Sequence, residues 1–246
     1  MKWIMAEPDS GAAAALAERA DIHPLIARLL VIRGIIDPVD ARSFLDCDLS
    51  TLSDPGIFTH MEKAVGRVRT AVSAGEKIVV YGDYDVDGVT GSSLLYLALK
   101  GLGASVESYI PDRMTEGYGL NDRALEVMKA RGVGLVISVD CGITAFREAK
   151  RARELELDLI ITDHHEINHQ NGAVRIPSSP VELPEAYAVL HPALVSADTA
   201  PALRVSVSGL TGVGIAFKLV PSLLGLDIED LSQRWQGGPG RFTEAV

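Results

Sequence analysis

From Met61 to Asp163 the chain alternates between two periods. Segments with apolar residues at helical spacing ("MEKAVGRVRTAVSAG", "GSSLLYLALKGLG", "NDRALEVMKARG", "TAFREAKRARELE") are separated by short runs ("KIVVYGD", "SVESYI", "LVISVD", "LDLIITD"). Most of these runs are continuously apolar, as strands covered on both faces are, and the helix after each is the crossover that parallel neighbours need. This alternation restricts the chain to an α/β fold with a doubly wound, mostly parallel sheet flanked by helices. The preceding segments "AAAALAERA", "HPLIARLLVIRG" and "PVDARSFL" are helical in spacing and end at Gly, Pro or Asp. We expect a helical N-terminal lead-in over residues 1–60, an α/β domain over 61–224 and an irregular tail over 225–246.

Three of the runs end in acidic sequence: "VVYGDYD", "VISVDCG" and "IITDHHE". Ligands of open parallel sheets bind beyond the carboxyl ends of the strands. The fold itself therefore gathers Asp83, Asp85, Asp87, Asp140, Asp163, His164 and His165 along one edge. Like charges crowded there repel one another unless a cation compensates. Taken alone, "DYDVDG" matches the first half of an EF-hand loop, but the position that needs an acidic ligand is Leu94 and a strand precedes, which excludes it. A solvated acidic turn and a merely hydrogen-bonded His are the plain readings of each motif by itself. Convergence of all three strand ends favours a divalent metal site. Its donors are oxygen and imidazole, because Cys47 and Cys141 form no Cys-x-x-Cys pair. Adjacent His164 and His165 point to different sides, so one can ligate while the other faces substrate. Two ions bridged by a carboxylate suit phosphoryl displacement.

The segment "YIPDRMTEGYGLND" carries Arg113, Tyr118 and Gly119. By itself it reads as a surface loop; beside a metal site, an Arg that forks onto phosphate oxygens and a Gly that admits close backbone approach gain meaning. "TGVGIAF" is either a phosphate cradle or a Gly-rich helix packed tightly, the second being favoured, and "REAKRAR" reads as the solvated face of a crossover helix. A net charge of −10 argues against a nucleic-acid partner, yet residues 111–153 hold eight basic against six acidic residues, a local +2. No apolar run approaches the roughly 18 residues of a membrane span, and "MKWIMAEPDSG" lacks a signal-peptide core. With its two distant cysteines the chain reads as soluble and cytoplasmic.

In their order and context, "GDYDVDGVT", "PDRMTEGYGLN", "SVDCGIT" and "TDHHE" resemble the DHH phosphoesterases. The flanking "HPLIARLLVIRGI" and "LTGVGIAFKL" resemble the RecJ branch, the single-strand-specific 5′ to 3′ DNA exonucleases, and the resemblance covers roughly residues 22–224. It implies a phosphodiesterase dependent on Mn²⁺ or Mg²⁺, with two ions in the complete site. It also implies ligation by Asp83, Asp85, Asp87, Asp140 and His164, with Asp140 bridging. His165, with Asp140, would be catalytic at the scissile phosphate, and Arg113, Tyr118 and Gly119 would meet substrate. Single-stranded DNA and replication or repair proteins are the implied partners. In that family the Gly-rich helix leads into an Asp-bearing segment that completes the metal site, then into further domains that grip the strand. No such segment occurs before Val246, so we expect a fragment or shortened homologue that hydrolyses single strands very weakly or not at all by itself. Two other readings remain open: a phosphoesterase for short oligonucleotides or cyclic dinucleotides, and a non-catalytic scaffold.

Overall fold

The computed structural model describes residues 6–46, 52–167, 182–196, 198–199 and 207–227. Cys47 and most of the expected tail, from residue 228 on, lie outside the described residues. The chain forms two compact units, Met1–Leu52 and Ser53–Val246. The first holds helices α1 (Ser10–Ala20), α2 (Pro24–Ile32) and α3 (Pro38–Leu45). Asp9, His23 and Asp37 cap their amino ends, and in α2 and α3 the cap is followed by a proline whose missing N–H costs nothing there. Leu16, Ala20, Ala27, Leu30 and Ala41 make its small core.

The second unit runs α4 (Met61–Ser73), β1 (Lys77–Gly82), α5 (Val86–Gly101), β2 (Ser105–Tyr109), α6 (Asp122–Ala130), β3 (Val133–Val139), α7 (Phe146–Glu154), β4 (Asp158–Thr162), β5 (Ala188–Leu190) and α8 (Gly212–Leu224). The sheet order is β2-β1-β3-β4-β5 and every pairing is parallel. Alternate side chains along each strand sort into two cores. Ile78, Val80, Leu135, Ile137 and Ile160 pack with α4, α5 and α8, while Val79, Tyr81, Val136, Leu159 and Ile161 pack with α6 and α7. The strand order reverses between β1 and β3, which opens the crevice at their carboxyl ends.

One detail differs from the pattern-based reading, and one strand lies outside it. Helix α5 starts at Val86 rather than at Gly91, because Asp85 accepts hydrogen bonds from the Asp87 and Gly88 amides and so caps the helix. Asp87 therefore sits in the first helical turn. Strand β5, within "AYAVLHP", has three residues, too few to show a period, and its assignment depends on pairing with β4.

Helix α8 packs on α5 at Gly91, where an added Cβ would come within 2.7 Å of Val139 and 3.1 Å of the Val213 backbone. It also buries Lys218, 1% exposed, whose ammonium donates to the Ser53 carbonyl. Burial pulls the Lys218 pKa down to about 8, with Asp54 opposing, from an ordinary value near 10.5. Below about 8 both folded and unfolded chains carry this proton; between there and the unfolded value only the unfolded chain does, so stability rises with pH. The melting temperature in metal-free buffer is expected to rise on this account from about pH 8 to about pH 10, and Lys218→Met to flatten the rise in a calorimetric pH series.

Candidate metal centre

The ladder of the sheet continues one residue past each strand. The Asp83 amide donates to Val139 at 3.2 Å, the Asp140 amide to Thr162 at 2.9 Å and the Asp163 amide to Leu190 at 3.1 Å. Three carboxylates are thereby set side by side at the carboxyl edge, each at most 3% exposed. Asp140 adopts a left-handed backbone, φ 63°, which costs a residue with a Cβ about 1–2 kcal/mol and marks a position held in place by its surroundings. Among the described residues, Asp83 Oδ1 and Asp140 Oδ1 are buried without a hydrogen-bond partner. His164 Nε2 lies 3.2 Å from Asp140 Oδ1 without being aligned as a donor to it. Burial, then the Asp87 and Asp85 charges, push Asp140 up to about 7. Burial followed by Asp85 likewise raises Asp83, against opposing contributions from the Tyr84 amide and from His165 and Arg113.

Buried, partnerless carboxylate oxygens are what a cation would satisfy. Two overlapping groups present donor atoms mutually within 4.8 Å: Asp83, Asp85 and Asp140, and Asp140, His164 and His165. They share Asp140. The oxygen and imidazole donors, without thiolate, fit hard divalent ions of the Mn²⁺ or Mg²⁺ type. Asp87 stands beside both groups: its Oδ2 is 3.6 Å from His164 Nε2, and its two oxygens accept from the Gly212 and Val213 amides at 2.6 and 2.7 Å. An anion at a helix amino end is well placed. Those α8 amides are thus occupied by a carboxylate, and Gly212 is required for packing, since a Cβ there would lie 2.3 Å from Asp140 Oδ1.

Residues without an assigned role in the sequence reading organise the histidines. Asp163 Oδ1 accepts the His164 and His165 amides and lies 2.7 Å from His165 Nδ1, while Oδ2 accepts the Ile143 amide. Burial pulls His165 down, but the Asp163 contact together with the Asp140 and Asp83 charges outweighs it and the net direction is up. Buried His191 accepts the Ala193 amide at Nδ1, so its proton is on Nε2, which donates to the His165 carbonyl at 2.8 Å. Its place after a three-residue strand left no sequence signal.

The Arg113–Gly119 segment reaches the centre through aromatic rings. Tyr118, 54% exposed, stands edge-on to His165 at 6.2 Å and to Tyr84 at 6.3 Å, and the Arg113 guanidinium lies 5.0 Å over Tyr84. Gly119 has φ 75° and accepts the Tyr81 hydroxyl at 2.8 Å. All nine sequence-derived site residues thus fall at one sheet edge, although Asp87 is engaged by α8 and Arg113 reaches the group through the Tyr84 ring and its charge on Asp83.

Residues 77–235 match the DHH family, N-terminal domain. The chain belongs to the DHH family. It is 44% identical over 225 residues to the single-stranded-DNA-specific exonuclease RecJ of Bacillus subtilis (strain 168), covering 92% of this chain and 26% of that protein. It is 32% identical over 205 residues to RecJ of Escherichia coli (strain K12), covering 83% and 32%. Among solved structures it is similar to exonuclease RecJ bound to manganese, with TM-score 0.56 and 33% identity over 69% of this chain and 39% of that one. It is also similar to RecJ from Thermus thermophilus in complex with Mn²⁺, with TM-score 0.58 and 26% identity over 90% and 28%. The DHH chain described here therefore spans about a quarter to a third of the length of these curated relatives. Among its described residues no helix is long and apolar enough to cross a membrane.

Removal of the shared carboxylate is the direct test of the centre. Asp140→Ala is expected to weaken Mn²⁺ binding by at least about a hundredfold in titration calorimetry, since even outer-shell losses cost about 10–100-fold. Saturating Mn²⁺ is expected to raise the wild-type melting temperature and to leave that of Asp140→Ala in place. Equal affinities would place the binding site elsewhere.

Proposed function

We propose that this chain is the catalytic part of a RecJ-type, metal-dependent phosphodiesterase that hydrolyses single-stranded DNA from its 5′ end. The observation that carries the reading is the sharing of Asp140 between two donor groups that leave buried carboxylate oxygens without partners. Asp83, Asp85, Asp140 and His164 would hold the ions, with Asp87 beside them. Divalent ions held there supply Lewis acidity and charge neutralisation for phosphoryl displacement. His165, with Nδ1 committed to Asp163, turns Nε2 toward the scissile phosphate, where it donates or accepts a proton. Arg113 is exposed and suited to fork onto a phosphate, and the open ring of Tyr118 offers an unpaired base a face on which to stack. A base inside a duplex has no free face, which accords with a preference for single strands.

The reading is supported by the relatives, which are named single-stranded-DNA-specific exonucleases, and by similar structures that hold manganese. The buried free thiol of Cys141 suits a reducing, cytoplasmic setting. Replication and repair proteins are the partners this activity would bring.

Turnover of a single-stranded oligonucleotide, its duplex and a dinucleotide, each with and without Mn²⁺, separates the possibilities. Degradation of the single strand alone is the expected result. Preference for the dinucleotide would favour a small-substrate phosphoesterase, and no turnover with intact Mn²⁺ binding, both in this chain and in a version extended through the Asp-bearing segment, would favour a scaffold. His165→Ala is expected to lower kcat by about 10²–10⁴ while Mn²⁺ affinity stays within about threefold. A loss of metal binding as large as the loss of rate would make His165 a ligand instead.

A further inference from the structure

We propose that Glu116 is the positioning residue of the substrate loop, residues 110–121, and that it presents Arg113 and Tyr118; this rests on the function proposed above. The loop leaves β2 at Tyr109 and reaches α6 at Asn121, the helix cap that accepts the Ala124 amide at 2.8 Å. Its tip is held from both directions by one pair of residues. The Glu116 amide donates to the Asp112 carbonyl at 2.8 Å, and the Asp112 amide donates to Glu116 Oε2 at 2.9 Å. Arg113 and Met114 sit at the apex of the turn so closed, Met114 being 90% exposed, so no apolar burial at the apex helps to fix it.

The other oxygen ties the turn to the sheet. Glu116 Oε1 accepts the Tyr109 hydroxyl and, at 3.5 Å, the Asn121 side-chain amide. The same Asn121 amide donates to the Tyr81 hydroxyl at 3.1 Å, and that hydroxyl donates to the Gly119 carbonyl next to Tyr118. The rings of Tyr81 and Tyr109 pack 5.1 Å apart at the ends of β1 and β2. One carboxylate therefore joins the apex carrying Arg113, the stem carrying Tyr118, and the strand that leads into Asp83. The Tyr109 hydroxyl, followed by the Asp112 amide, holds Glu116 below the usual carboxylate range, so it is the anionic acceptor at neutral pH.

Glu116→Gln tests this without changing size. Three donors converge on two carboxylate oxygens, whereas glutamine offers one oxygen and adds a donor, so either Tyr109 or Asp112 must face an N–H. Hydrogen exchange of the residue 112–119 amides in the metal-free chain is expected to quicken about tenfold, with Mn²⁺ affinity within about twofold of wild type. Affinity for a short single-stranded oligonucleotide, read by fluorescence anisotropy, is expected to fall about tenfold. Tyr109→Phe, which removes one donor, should move both readouts in the same direction and by less. In an Arg113→Ala, Tyr118→Ala background the added Glu116→Gln should cost no further affinity, because a residue that acts through others has nothing left to position. An undiminished penalty in that background, or unchanged exchange in Glu116→Gln, overturns the proposal. Should the wild-type chain bind no oligonucleotide, the functional reading above falls, while the exchange measurement still decides whether Glu116 holds the loop.

Discussion

A carboxyl group buried without compensation costs more than most single contacts in a fold return, and the carboxyl edge of this sheet buries three such groups. The neighbours of each carboxylate show how the cost is met. Asp163 is met by donors on both oxygens, from Ile143, His164 and His165. Asp83 and Asp140 each keep a buried oxygen without a hydrogen-bond partner. Around them the structure is arranged to tolerate close approach rather than to relieve charge. Gly88 lets α5 start against the Asp83 backbone, where a Cβ would come within 2.5 Å of the carbonyl oxygen, and Gly212 lets α8 start against Asp140. The unmet oxygens are therefore concentrated at Asp83 and Asp140, at the ends of β1 and β3.

Much of this architecture was legible in the residues because it rests on local rules. Apolar runs such as "KIVVYG" and "LVISV" declared buried strands, and the placing of acids immediately after them declared which edge would be chemical. The parts that escaped are those fixed by contacts distant in sequence. Strand β5 is defined by pairing with β4 rather than by its own composition. His191 has meaning only through the His165 carbonyl, and Glu116 only through Tyr109, Asp112 and Asn121. The start of α5 was misplaced for a related reason: a carboxylate read as a ligand, Asp85, also caps a helix, and pattern alone does not show that one side chain does both.

The two histidines illustrate how a tandem motif is resolved into separate tasks. They share one turn, with ring centroids 4.7 Å apart, yet His164 faces Asp140 and Asp87 while His165 is committed at Nδ1 to Asp163. The division depends on Asp163 as a common acceptor for both backbone amides. The first acid of the motif thus acts by fixing geometry, and the two imidazoles after it are free to differ.

The clasp between Asp87 and the amino end of α8 joins residues 125 positions apart. Closing a loop of that length is entropically slow to achieve, and the contact forms only once residue 212 has been made. During ribosomal synthesis the strands bearing Asp83, Asp140 and His164 emerge well before Gly212 does. The acidic edge must therefore exist for a time as an open, unclasped surface on the nascent chain, and the helix that clasps it contributes glycine and backbone amides rather than any charged group at that contact.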